Sequence, residues 1–125
     1  MPKHTIKIIN ELIKKNKIEF IDLKSIDLSG RLHHISLPVS DNIMTKLTTE
    51  GVGFDGSSFG FRKVENSDMI MIPDLDTAVI DLFRDAPTLS FYSNIVLTDE
   101  KHTRFTQDGR YLAAKAEALL KKLTG

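Results

Sequence analysis

Phe54-Asp55-Gly56-Ser57-Ser58, followed by Phe61 and then by Asn66-Ser67-Asp68-Met69, is the stretch on which the fold turns. An Asp-Gly pair makes a turn for two separate reasons: Asp accepts hydrogen bonds from the backbone that follows it, and Gly tolerates positive φ. Gly51, Gly53 and Gly56 mark a loop where the backbone must bend or be approached closely. The same letters spell two catalytic motifs. Gly51-Val52-Gly53-Phe54-Asp55-Gly56 reads GxGxxG, with Asp74 or Asp76 near the offset of a ribose-binding acid. A dinucleotide turn needs a strand before it and a helix after it, so that phosphate meets the helix N-terminus. Here a short helix is expected before the glycines and Ser57-Ser58-Phe59-Gly60-Phe61 follows them. Gly56-Ser57-Ser58-Phe59-Gly60 reads GxSxG, which would make Ser58 a nucleophile on a strand-turn-helix elbow. His102 is the only histidine after it, no buried acid is evident to orient that histidine, and the chain is too short for a hydrolase sheet. Neither motif has its context.

Working outward, Ile6, Ile9 and Ile13, with Ile8 and Leu12 beside them, recur at helical spacing, so the first stretch is an amphipathic covering helix with Lys3, Lys7, Lys14 and Lys15 toward water. Ile18 to Ile26 and Leu32 to Leu37 alternate roughly between apolar and polar residues. With Asp27-Leu28-Ser29-Gly30 as turn chemistry between them, they form a hairpin that Pro38 ends. Ser40 can cap a short helix running through Leu47. Met69 to Ile72 and Leu89 to Leu97 read as strands, and Thr77 to Ile80 as a further one. From Asp108, the spacing of Leu112, Ala116, Leu119, Leu120 and Leu123 is helical again, with Gly125 as a C-terminal stop. The order of elements predicts an α+β domain built on a small mixed sheet.

The chain has 125 residues, enough for one domain with a real core and little room for a second. Lys plus Arg and Asp plus Glu stand at 17 each, so no net field points to nucleic acid or to an anionic membrane. The absence of cysteine excludes disulfides, thiolate catalysis and Cys-ligated zinc, and fits a reducing compartment, with cytoplasm as the default. The N-terminal stretch is too interrupted by lysine for a signal region or a membrane span. Asp74 and Asp76 form a DxD with no third ligand fixed in sequence, which is expected as a solvated loop rather than a metal site. His33 and His34 are adjacent on a strand and therefore face opposite ways, poorly placed to share a metal; His33 shares the face of Ile35 and Leu37 as a partly buried histidine.

The Asp55-Gly56-Ser57-Ser58 turn together with the Ser67-Asp68-Met69 strand start resembles the N-terminal signature of glutamine synthetase, in its bacterial and archaeal form. Ile72-Pro73-Asp74, Asp81-Leu82-Phe83 and Pro87-Thr88-Leu89 resemble segments that follow this signature, so the resemblance covers nearly the whole chain. It implies a β-grasp, ubiquitin-like domain over residues 1–105. Asp108, Arg110, Ala113, Lys115, Ala116 and Glu117 resemble the first helix leading into the catalytic domain, giving residues 106–125 that role. Two departures stand out: from Asp55 to Asp68 the chain is one residue shorter than the commonest family spacing, and Leu82 replaces a frequent Pro.

The resemblance further implies a part of an ATP-dependent ligase that joins ammonium to glutamate. Asp55 and Ser58 correspond to residues lining the ammonium site, where the aspartate helps bind and deprotonate the ion; Asp68 corresponds to a residue reaching that site from the adjacent subunit. No metal or cofactor site is expected in this chain, because ATP and Mg or Mn belong to the catalytic domain, which the family places after this region. The partners implied are the catalytic domains of its own and the neighbouring subunit in homo-oligomeric rings, and the chain alone is expected to be inactive. Two rival readings accompany this one: a free-standing, non-catalytic β-grasp adaptor or regulatory module, and a pseudoenzyme that regulates a true synthetase.

Overall fold

The computed structural model describes residues 4–61 and 67–125. Lys3 of the first helix, Asn66 of the signature and residues 62–66 of the segment holding the one-residue shortening lie outside the described residues. Helix α1 (Ile6–Lys15) is followed by strands β1 (Phe20–Ile26) and β2 (Leu32–Pro38), helix α2 (Ile43–Thr49) and strand β3 (Val52–Asp55). A 3₁₀ turn over Gly56–Phe59 precedes β4 (Asp68–Pro73), and a second over Leu75–Thr77 precedes the two-residue β5 (Val79–Ile80). The long strand β6 (Thr88–Val96) and helix α3 (Gly109–Thr124) complete the order.

The strands form one mixed sheet in the order β2-β1-β6-β4-β3, with β5 beside β6. β1 runs parallel to β6, pairing Ile21 with Leu89 and Leu23 with Phe91. β6 then shares its other edge between two antiparallel partners, β5 against Ser90 and Leu89 and β4 against Ser93 through Val96. The expected hairpin is present, with Ile21 opposite Leu37, Leu23 opposite Ile35 and Ser25 opposite His33. Alternation sends Ile21, Leu23, Leu89, Phe91, Ile95, Met69 and Met71 into one core, which Ile9 of α1 and Met44 and Leu47 of α2 complete. α2 packs on β4 and α1 on α2, so both helices cover one face of the sheet. This is the α+β arrangement expected from the sequence.

The opposite face carries a buried charge. Asp22 of β1 is fully buried and accepts hydrogen bonds from Ser36 at 3.0 Å and Arg84 at 3.3 Å, with the His34 Nδ1 at 2.8 Å. A buried carboxylate is tolerated only when paired. Here the pairing straps the segment after β5 across the sheet, and that strap presents Leu82 and Phe83 to solvent.

Four local expectations are revised. Of the strand read over Thr77 to Ile80 only Val79–Ile80 is strand, Thr77 closing the preceding 3₁₀ turn. Ser40 does not cap α2; Asn42 stands at the N-cap in the left-handed region, with φ 59°, and makes no side-chain capping bond, so the helix starts at Ile43 and runs on to Thr49. The glycine stretch read as loop is partly strand, because Val52 and Phe54 have apolar partners in Met71 and Met69 across the ladder. Asp74 is not a solvated loop residue: it caps the Leu75–Thr77 turn and ion-pairs with Arg110 at the start of α3.

α3 begins where expected. Asp108, 2% exposed, accepts from Arg110 N, from Ile95 N of β6 and from Arg104, so the helix start is tied to the sheet. No residue of α3 itself is buried, and Leu112, Leu119, Leu120 and Leu123 form an exposed apolar stripe. No helix among the described residues is long and apolar enough to cross a membrane.

Gly51 shows how closely β3 meets β4. Its φ is +68°, and a Cβ there would stand 2.5 Å from both Ile70 Cγ2 and the Met71 carbonyl oxygen. Gly51→Ala therefore combines left-handed strain with overpacking and is expected to cost about 3 kcal/mol in urea denaturation. Gly30→Ala, at φ +89° but with nothing within 4 Å, is expected to cost only about 1 kcal/mol. Equal losses at the two sites would show that the β3–β4 contact yields to a methyl group.

Candidate functional site

The signature lies at one end of the sheet, where the edge strand β3 runs into the Gly56–Phe59 turn. The register places Asp55 directly opposite Asp68, Phe54 opposite Met69 and Gly53 opposite Ile70. Phe54 and Met69 point into the core. Asp55 and Asp68, alternating with them, share the outer face and are both exposed. Directly opposed residues of an antiparallel pair have Cα atoms about 5 Å apart, and like charges in that position destabilise the ladder. Two carboxylates therefore stand side by side at this sheet edge.

The turn geometry explains how Asp55 is held. Its Oδ1 accepts from the Ser57 backbone N at 2.9 Å and from Ser57 Oγ at 2.7 Å. The Ser57 hydroxyl, then the Ser57 amide and the Ser67 side chain, hold the Asp55 carboxyl below its ordinary pKa, because each bond favours the charged form. Gly56 closes the turn: its N donates to the Ser67 carbonyl at 2.7 Å, and a Cβ would collide with Met69 Sδ at 2.4 Å.

Ser58 stands elsewhere on the turn. It is exposed and, with Ser57 beside it, lines an open cleft of about 470 Å³ shared with Asp27, Leu28, Arg31 and Phe59, formed where the β1–β2 turn meets the 3₁₀ turn. Neither Asp55 nor Asp68 lines that cleft; Asp68 instead borders a second depression with Glu50, Gly53, Ile70 and Thr98. The structure thus brings Asp55 and Asp68 together and sets Ser58 toward the β1–β2 turn. Ser57 is the partner that sequence reasoning missed, although Asp-x-Ser spacing, with the side chain bonding two residues onward, could have found it.

The cleft has its own fixed elements. Asp27 Oδ1 accepts from Ser29 N at 3.0 Å, Ser29 Oγ at 2.9 Å and Arg31 N at 2.8 Å, while Oδ2 lies 2.8 Å from His33 Nε2. The His33 bond is the foremost reason that the Asp27 carboxyl lies well below the usual range. His33 is part-buried on the face of Ile35 and Leu37, as its spacing predicts. Among the described residues no group of three or more His, Asp or Glu side chains could hold a metal ion. Asp74 and Asp76 are committed to the capping bond, Arg110 and His4 N.

Residues 17–98 match the family described as glutamine synthetase, beta-Grasp domain. The chain belongs to that family. It is 39% identical to the glutamine synthetase of Aquifex aeolicus over 98% of this chain and 26% of that protein. It is also 37% identical to the 3-hydroxylaminophenol mutase of Cupriavidus pinatubonensis, over 90% of this chain and 24% of that one. The glutamine synthetase of Plasmodium falciparum, solved by cryo-electron microscopy, superposes with a TM-score of 0.80 at 21% identity, over 98% of this chain and 23% of that one. The chain spans about a quarter of the length of these relatives. The β-grasp assignment covers β1 through β6, and α1 and α3 lie outside the matched residues.

Because Asp27, Asp55 and Asp99 all have depressed pKa values in the folded chain, their contribution to stability is fully present above the unfolded carboxylate pKa, about 4, and is lost as pH falls through the folded values. Urea unfolding measured from pH 6 down to pH 2 is expected to show a progressive loss of stability below about pH 4. Asp27→Asn is expected to flatten that slope while lowering stability at neutral pH. A slope unchanged in the variant would mean that Asp27 is not depressed.

Proposed function

We propose that this chain is the N-terminal part of a glutamine synthetase, and that its Asp55–Ser58 turn supplies one wall of the ammonium site. The observation that carries this reading is the opposition of Asp55 and Asp68 on an exposed sheet edge, with Asp55 kept ionised by its turn. Ammonium is attracted as a cation and attacks only once neutral, so capture needs a fixed negative charge and a later loss of a proton. Asp55 is well suited to the first step, since a depressed pKa favours the charged form. The same depression weakens its pull on a proton, so deprotonation requires that the carboxylate exchange its serine bonds for the ion. Ser58 adds a neutral acceptor on the cleft side of the turn, and Asp68 adds the second charge.

In this reading ATP and Mg or Mn bind in the catalytic domain of the longer protein, and γ-glutamyl phosphate forms there. Residues 1–105 act as the β-grasp domain and residues 106–125 as the helix leading onward. The exposed stripe of α3 and the exposed Leu82 and Phe83 support a protein partner; in this reading the partners are catalytic domains of the same and the neighbouring subunit in a ring, in the cytoplasm. The chain alone is inactive because the nucleotide and glutamate contacts lie outside it. The exposed stripe equally favours an adaptor that catalyses nothing; a coding sequence continuing past Gly125 into a strand with paired glutamates would decide for the synthetase.

In the longer protein Asp55→Ala is expected to lower glutamine formation at limiting ammonium by about a hundredfold while γ-glutamyl phosphate formation falls less than about threefold. Equal, small effects on both would remove Asp55 from the site. Calorimetry of the 125-residue chain with Mg-ATP is expected to show no binding, and a clear isotherm would relocate the nucleotide site into this domain.

A further inference from the structure

We infer that His33, fixed by Asp27, is a positioning residue for the Asp55–Ser58 turn and acts on it through Phe59; the inference rests on the ammonium-site reading above. Phe59 is the last residue of the 3₁₀ turn and is 7% exposed. The His33 ring stacks on it with centroids 4.2 Å apart and planes inclined by 25°. On the same ring Phe54 lies at 4.7 Å and Phe61 at 5.8 Å, and Phe61 continues to Phe105 at 5.2 Å. The turn that carries Asp55, Ser57 and Ser58 is thus seated on an aromatic row, and the histidine closes that row at the β2 end.

His33 is in its turn tied to the β1–β2 turn through Asp27. With Asp27 ionised, its carboxylate only accepts, so His33 Nε2 is the donor in the 2.8 Å bond. The other Asp27 oxygen is occupied by Ser29 and Arg31. A backbone bond couples the two turns directly, from Leu28 N to the Phe59 carbonyl at 3.0 Å. Leu28 also sits against Gly60, whose φ of +76° reverses the chain after Phe59; a Cβ there would touch Leu28 Cβ at 3.4 Å. The β1–β2 hairpin therefore grips the signature by a ring face from β2 and a backbone hydrogen bond from its turn, and His33–Asp27 is the pair that joins the two. Its role is placement: His33 does not touch Asp55.

A positioning role predicts a defect confined to the substrate whose site the turn builds. In the longer protein containing this domain, His33→Ala is expected to raise the apparent KM for ammonium about tenfold, with the KM values for glutamate and ATP changed less than about twofold. His33→Gln, whose amide can reach Asp27 and lie flat on Phe59, is expected to bring the ammonium KM back to within about threefold of the parent. Asp27→Asn, which keeps the shape and removes the charge, is expected to reproduce a smaller ammonium-specific rise and serves if His33→Ala does not fold. Asp55→Ala is measured alongside. If Asp55→Ala leaves ammonium saturation unchanged, the ammonium-site reading itself falls, and this inference with it. If Asp55→Ala raises the ammonium KM but the His33 and Asp27 variants do not, or raise all three KM values together, His33 is a structural residue only. Failure of folded His33→Gln to restore ammonium affinity would likewise overturn the inference.

Discussion

The pairing of β6 is the constraint on which the rest of the domain depends. β6 meets β1 in parallel on one edge and divides its other edge between β5 and β4. Parallel pairing needs both faces of the ladder covered, and Leu89 and Phe91 on one face and buried Thr88 and Ser90 on the other meet that need. Once Ile70 is set opposite Val96, β4 has a single register, because a slip by one residue would turn Met69 and Met71 out of the core. The same register carries Asp68 to the position opposite Asp55. The two carboxylates are neighbours because the methionines beside them are core residues.

That arrangement accepts an electrostatic cost at the sheet edge. Facing aspartates repel, and among the described residues no lysine or arginine pairs with either; Asp55 is held by neutral donors from Ser57 and Ser67. Neutral donors keep a carboxylate charged without cancelling its charge, which leaves it able to attract a cation from solution. By contrast Asp22, Asp74 and Asp108 are satisfied by arginines and serve the scaffold: Asp22 straps the segment after β5, and Asp74 and Asp108 seat the start of α3. Asp55 differs from these three in that Ser57 holds it with neutral donors.

Much of this was legible in residue patterns. The hairpin followed from alternation and the Asp27-Leu28-Ser29-Gly30 turn, and α1 and α3 from their spacing, with Asp108 and Gly125 at the ends of α3. His33 and His34 facing opposite ways followed from strand geometry alone. Where the patterns misled, a contact distant in sequence had overruled a local preference. Ser40 is a good cap residue, yet Asn42 in the left-handed region starts α2. Gly51 to Asp55 carries turn residues, yet the β4 methionines draw Val52 and Phe54 into a strand. Asp74 resembles a solvated acid until Arg110, 36 residues onward, is folded against it.

By itself, then, the sequence determined the class of the fold, the family resemblance and the turn that bears the signature, because periodicity and turn chemistry are local properties. The tertiary structure alone decided which acids meet. Asp55 and Asp68 are separated by a segment whose length gives no register, and only core burial along β4 sets them face to face. It also decided that Ser57 holds Asp55 and that His33 reaches the signature through Phe59, since a ring stack between two turns depends on how the sheet brings them together and leaves no trace in spacing.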